Sequence, residues 1–321
     1  MSVDLDELGG ALSEVARGRV ERSYSLARFT TYRLGGPAGV YVEPADLDDL
    51  VALGAVLRDV DADGEVPVLT VGRGSNMVIS DAGWPGLALR LGQPFAELEP
   101  VDAGSESFDV GAAKPLPLVA NWSARRSLAG MEWAVGVPGS VGGGVRMNAG
   151  AHGRDMAGSL VTATVFDLDA LELAERSGGE LEMTYRHSNL TDRHIVTRAR
   201  LRLEHEARDA IRGRTESFRR HRTETQPGAL QNAGSTFKNP EGDSAGRLVE
   251  AAGLKGFRVR GASVSTKHAN FFMADDSASA QDVFDLVHEV RTRVASEFGV
   301  SLEPEVRFAG PFSAATTVGT S

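Results

Sequence analysis

The 321-residue sequence contains no cysteine. That absence removes disulfides, thiolate metal sites and cysteine nucleophiles together, and it fits a reducing compartment. Positive charge is short: 34 Lys and Arg stand against 44 Asp and Glu, a net charge of −10. A deficit of this sign argues against general nucleic-acid or anionic-membrane binding, which need a surplus of Lys and Arg. It leaves room for a local basic pocket around one anionic ligand. No stretch approaches the roughly 18 apolar residues of a membrane span, and the N-terminus lacks the basic region and apolar core of a secretory signal. A soluble, cytoplasmic protein is expected. The seven histidines show no HExxH or paired-ligand spacing, so no metal is expected. There is no Gly-x-Ser-x-Gly elbow, which removes the common hydrolase signature.

What is present is ordinary globular composition, 41% hydrophobic and 24% charged, in a length that allows two or three domains. The 37 glycines exceed the usual roughly 7% and fall in clusters, which suggests tight turns and close backbone approaches. Leu5, Leu8, Leu12 and Val15 mark a weak amphipathic helix interrupted by Gly9-Gly10. Strand, helix and strand then follow in AGVYVEP, DLDDLVALGAVLRDV and VPVLTVG, a βαβ-like unit over about 20–80. GLALRL, FDVGAA, VTATVFDL and HIVTRARLRLE read as strands, and LPLVANWSARRSLAG as a helix begun near Pro115 and stopped by Gly130. The basic segment ARDAIRGRTESFRRHRTET reads as a solvated connecting helix, with a boundary at Pro227-Gly228. Beyond it come the helix SAGRLVEAAG, the strand VSTKHANFFMAD, the helix AQDVFDLVHEVRTRVASEF and the strand LEPEVRFAG.

Two glycine clusters carry the first chemical signal. In VGRGSN a strand runs into Gly72, Arg73, Gly74, Ser75 and Asn76, where backbone N–H groups stand clear of side chains and suit a phosphate. A plain glycine turn reads as well, and the third glycine of the dinucleotide fingerprint is missing. The segment GVPGSVGGGVRMNAGAHG places seven glycines in eighteen residues, with Gly136, Pro138, Gly139, Ser140, Gly142, Gly143, Asn148, Ala149, Gly150 and Ala151 as candidate contacts. It fits backbone pressed on a large phosphorylated ligand, or a packing seam between domains. Arg186 of YRHS can fork onto a carboxylate or phosphate and equally into a surface ion pair. Ser235 of AGSTFKNP is a loop serine. Lys267 and His268 could meet an anion or sit on a strand edge, and Glu303 and Glu305 share one face of a short strand.

In their order along the chain, VGRGSNMVI, GMEWAVGVPGSVGGGVRMNAGA, YRHS, AGSTFKNP, SAGRLVEAAGLKG, VSTKHANFF and LEPEVRFAG resemble the UDP-N-acetylenolpyruvoylglucosamine reductase (MurB) family of peptidoglycan synthesis, from about Phe29 to Gly310. The resemblance implies an α+β protein. A two-part FAD-binding region of the vanillyl-alcohol-oxidase type would span 20–80 and 81–205. A smaller α/β substrate domain would span 206–310, its final strand returning to the active site, with a disordered tail at 311–321. It implies non-covalent FAD on the two glycine clusters, NADPH as co-substrate, and reduction of the enolpyruvyl ether of UDP-N-acetylglucosamine to UDP-N-acetylmuramate by a monomer without nucleic-acid or membrane partners. Arg186, Ser235 and Glu305 are the implied catalytic residues. Lys238, Lys267 and His268 are candidates for the substrate's diphosphate or carboxylate. The short interval between Arg186 and Ser235 places the chain in the family's shorter class, without a substrate-capping insert, while Arg146 and His152 depart from the small or aromatic residues expected there.

By that resemblance, hydride reaches C3 of the enolpyruvyl group, charge builds at C2 and its carboxylate, Arg186 and Glu305 stabilise it, and Ser235 delivers a proton to C2. A related flavin oxidase would lack the AGSTFKNP, KHANFF and EPEVR set. A non-catalytic nucleotide-sugar binder would have lost Ser235 or Glu305.

Overall fold

The computed structural model describes residues 4–61, 63–228 and 231–315. The chain divides into two compact units, the first made of 4–24, 39–73 and 86–222, the second of 25–38, 74–85 and 223–315. The expected linear boundaries at 80 and 205 therefore do not describe it. Residues 25–38 and 74–85 belong with the C-terminal part because Met77–Ile79 pairs in parallel with Arg307–Ala309, so the middle of the expected first unit is built into the second.

In the first unit, α1 (Leu5–Val15) begins at Asp4, whose carboxylate accepts the Asp6 N–H. It runs through Gly9-Gly10 without a break, against the expectation. Gly9 lies on the Arg22 side chain, so its lack of a Cβ serves packing and not termination. Helix α2 (Leu47–Val60) is capped by Asp46 and buries Leu50, Leu53 and Leu57. A four-stranded sheet has the order Arg19–Ser25, Pro37–Glu43, Trp84–Leu89, Val68–Thr70. The expected βαβ unit is thus split by the later strand Trp84–Leu89, which pairs in parallel with Val68–Thr70. A second sheet of five strands follows the order Glu172–Ser177, Leu160–Asp167, His194–Arg202, Ser107–Gly111, Leu98–Pro100. Its apolar positions, among them Phe108, Val165 and Leu201, join Val40, Leu50 and Trp133 in one core.

Helix α3 (Leu116–Arg125) ends before Gly130, because Leu128–Ala129 leaves to pair with Glu204–His205. After α4 (Val141–Arg146), the basic helix α5 (Arg208–Thr225) is less of a solvated connector than its charge implies. Ile211 and Thr215 are buried, and Arg214 bonds both Glu206 and the buried Glu132.

The second unit packs Phe237, Leu248, Phe272, Leu286 and Val290 into its own core. Helix α6 (Ala245–Ala251) starts at Ser244, and α7 (Ala280–Phe298) starts on a Ser279–Asp282 capping box and ends at Gly299 with φ of 69°. The expected strand over VSTKHANFFMAD is a hairpin, Ala262–Val264 against Phe272–Ala274, with Lys267 and His268 in the connecting turn. The expected disorder of 311–321 also needs correction. Phe312 stacks on Phe284 with centroids 4.7 Å apart, and Ser313 N–H donates to Gln281 Oε1 at 3.0 Å. Residues 316–321 lie outside the described part.

Candidate functional site

Within the first unit the two glycine clusters meet. A Cβ on Gly72 would lie 2.7 Å from Ser140 Oγ, so the loop after Val68–Thr70 presses on the start of α4, and a side chain there would have to displace that hydroxyl. Ser140 Oγ also accepts the Gly143 N–H at 3.4 Å. The amides of Val141 and Gly142 are committed, to the carbonyls of Lys114 and Ala112. By contrast, none of the backbone N–H groups of Gly72, Arg73, Gly74 and Ser75 has an acceptor among the described residues. Thr70 Oγ1, at the end of the preceding strand, is buried without a partner. Unused donors in a glycine loop are what an anionic group would satisfy.

The end of the second cluster is tied to YRHS. Asn148, 2% exposed and at φ of 40°, donates from Nδ2 to Thr184 O (2.9 Å) and Asp155 Oδ2 (3.1 Å). Its Oδ1 accepts the Ala157 N–H at 3.0 Å. Asn148 therefore spends its side chain on the scaffold. Arg186 sits at φ of 55°, a conformation non-glycine residues seldom adopt. Its Nη2 donates to Gly150 O at 2.7 Å, and its guanidinium lies 5.0 Å from the centre of the Tyr185 ring. Ser188 Oγ donates to Arg146 O at 2.6 Å. The departures from the family pattern have structural uses: Arg146 pairs with Asp192 at 2.6 Å, and His152 stacks on Phe218 at 4.0 Å.

The second unit gathers the remaining motifs. Gly74, at φ of 54°, lies so near Phe29 that a Cβ would stand 2.1 Å from its carbonyl oxygen, so both the backbone angle and the space require glycine. Asn76 Nδ2 donates to Glu305 O at 3.0 Å, and Arg307 N–H donates to Asn76 O. The last residues of the first motif and the last motif of the chain therefore touch. Glu305 N–H donates to Thr236 O at 2.8 Å, which sets Glu305 beside the Ser235 segment. Only Arg307–Ala309 is regular strand, so the shared strand face expected for Glu303 and Glu305 does not form; Pro304 instead bridges to Phe237. Arg186 belongs to the first unit, Ser235 and Glu305 to the second.

Lys238 pairs with Glu303 at 2.7 Å, so its charge is locally offset. Lys267 Nζ donates to Thr223 O, and His268 Nδ1 accepts the Asn270 N–H at 3.2 Å. Asn270, missed in the sequence, holds the serine loop. It is 3% exposed, and its amide accepts from Phe237 N–H and donates to Phe237 O. Asn148's partner Asp155 was missed as well. Asn270 acts through the backbone of a residue 33 positions away, which leaves no motif, and Asp155 acts through the Asn148 side chain and the Gly158 N–H. A cavity of about 680 Å³ over the five-stranded sheet, lined by Phe95, Leu98, Asp109, Leu173, Arg198 and Arg200 among others, includes none of the residues singled out. No group of three or more His, Asp and Glu able to hold a metal ion occurs among the described residues, and no helix there is long and apolar enough to cross a membrane.

The chain is similar to known proteins. Residues 38–174 match the model of an FAD binding domain, and residues 226–309 match the UDP-N-acetylenolpyruvoylglucosamine reductase, C-terminal domain. A UDP-N-acetylenolpyruvoylglucosamine reductase of Symbiobacterium thermophilum is 44% identical over 91% of this chain and 93% of its own length. One from Agathobacter rectalis is 40% identical over 89% of this chain and 93% of its own. The crystal structure of such a reductase from Thermus caldophilus superposes with a TM-score of 0.76 at 36% identity, covering 91% of this chain and all of that one.

Proposed function

The chain belongs to the UDP-N-acetylenolpyruvoylglucosamine reductase family, an FAD-dependent oxidoreductase of peptidoglycan synthesis, and from this premise we propose that it reduces UDP-N-acetylglucosamine enolpyruvate to UDP-N-acetylmuramate with NADPH as electron source. The observation that supports the cofactor's place is the run of unused N–H groups from Gly72 to Ser75, with Gly72 pressed on Ser140. These residues suit the FAD diphosphate, and the cofactor would supply the hydride that C3 of the enolpyruvyl group receives.

The chain's own residues do the rest. Hydride addition at C3 leaves negative charge at C2, spread into the carboxylate as an enolate. Arg186 supplies a fixed cation for that charge. The Gly150 carbonyl and the unusual backbone angle at residue 186 hold the guanidinium before substrate arrives, and a preorganised donor stabilises developing charge without reorganisation. Glu305 contributes as a hydrogen-bonding carboxyl to the same group. The Ser235 hydroxyl delivers the proton to C2 and recovers its own from water. A serine is a weak acid, but an enolate is a strong base, so position decides. Asn270 fixes that position by holding both polar groups of the Phe237 backbone.

Ser235→Ala tests the assignment in stopped flow. NADPH should reduce the variant's flavin as in the parent, while reoxidation by the enolpyruvyl substrate should slow by orders of magnitude, because only that half-reaction needs the proton. Equal slowing of both half-reactions would make the serine a structural residue.

A further inference from the structure

Helix α5 ends the first unit with Arg222 lying across Gly136. A Cβ on Gly136 would stand 2.3 Å from Arg222 Cδ and 2.5 Å from its Nε, so the arginine reaches this place only because the glycine leaves it open. Arg222 is half-buried, and its guanidinium has no hydrogen bond or ion pair among the described residues. The neighbouring Arg214 differs in this respect, holding two carboxylates. Further basic groups stand nearby: His152, which feels the Arg222 charge, stacks on Phe218, and His221 meets His152 edge-on at 5.5 Å. Burial lowers the pKa of Arg222, and burial, then His221, then Arg222 lower that of His152. The contributions of His221 and Arg222 at His152 register a positive spot on a chain whose net charge is −10. An uncompensated, partly buried guanidinium is costly unless an anion completes it.

We propose that Arg222, laid along Gly136, is the cationic arm of a nucleoside-diphosphate site in the first unit. This rests on the function proposed above, which offers that chemistry twice, in the diphosphate of FAD and in that of the UDP-sugar. Gly136 opens the same glycine cluster whose Ser140 meets Gly72, which favours the cofactor as the source. Arg222 acts here by binding and not by proton transfer.

The test uses purified holoenzyme and the variants Arg222→Gln, Arg222→Lys and Gly136→Ala. FAD release on dilution is followed by the return of flavin fluorescence, and UDP is titrated into the holoenzyme through the shift of the flavin absorbance bands. Losing one charge-assisted bond to phosphate should weaken binding about tenfold or more. R222Q should weaken one of the two ligands by that amount, with R222K partly restoring it. Weakened FAD assigns the arm to the cofactor, and weakened UDP with FAD retained assigns it to the substrate. G136A should weaken the same ligand by displacing the arginine, and the double variant R222Q/G136A should be no worse than R222Q alone. Unchanged binding of both ligands in R222Q overturns the proposal while leaving the proposed function standing. A parent protein that binds neither FAD nor UDP overturns both.

Discussion

Asn148→Ala would loosen the join between the second glycine cluster and the Arg186 turn. The parent side chain makes three bonds at 2.9–3.1 Å while only 2% exposed. At about 1 kcal/mol for each buried bond, their loss costs about 3 kcal/mol. The φ of 40° adds about 1 kcal/mol, because alanine tolerates the left-handed region less well than asparagine. Urea unfolding followed by tryptophan fluorescence, with Trp122 and Trp133 reporting from the first unit, should therefore show a loss of about 3–4 kcal/mol. Asn148→Asp refines the test. It keeps the acceptor for Ala157 but sets a second carboxylate beside Asp155, and the pair's raised proton affinity in the folded state means that stability should rise as pH falls into the carboxylate range. In both variants the Thr184 carbonyl loses the Asn148 amide and keeps only the His187 N–H at 3.1 Å, which loosens the turn before Arg186, so Arg186 should hold substrate charge less well and reoxidation by substrate should slow. A loss under about 1 kcal/mol in Asn148→Ala would refute the claim that these bonds hold the join.

Two further outcomes follow from other parts of the fold. Tyr32, 3% exposed, donates its hydroxyl to Phe272 O at 2.9 Å inside the second unit, so Tyr32→Phe should cost about 1–2 kcal/mol in chemical unfolding by leaving that carbonyl unpaired. Arg200, hydrogen-bonded to Asp109 at 2.8 Å, holds its carboxyl below the usual range, which contributes stability present above the ordinary aspartate pKa and lost as pH falls through the lowered one. Asp109→Asn should flatten the acid limb of a thermal-stability profile below about pH 4 relative to the parent, and an unchanged limb would remove the pair from the account.

The reach of the sequence differs between elements for physical reasons. Helix α7 was legible to the residue because its limits are local chemistry: a serine cap with its aspartate partner at one end, a glycine at the other. The strand read through VSTKHANFFMAD failed because Ser265 Oγ accepts the N–H groups of Lys267 and His268 and bends the chain back, a side-chain turn that an alternation of residue types does not reveal. The split of the first βαβ unit was equally hidden, since the strand inserted into it comes from later in the chain. The glycine clusters announced themselves as loops, yet that Gly72 faces Ser140 is a tertiary fact. So is the placement of Arg222, one arginine in a basic run, against Gly136. The family motifs located Ser235 and Glu305 without showing that Thr236 and Asn76 hold the backbone around them.

The central claim is that this protein passes electrons from NADPH through bound FAD to a nucleotide-sugar enol ether. Anaerobic absorbance titration of the purified protein tests it in one cuvette. A yellow protein should bleach with one equivalent of NADPH and recover its full visible spectrum on addition of one equivalent of UDP-N-acetylglucosamine enolpyruvate, with no oxygen admitted. A flavin that bleaches but stays reduced until air enters would contradict the account.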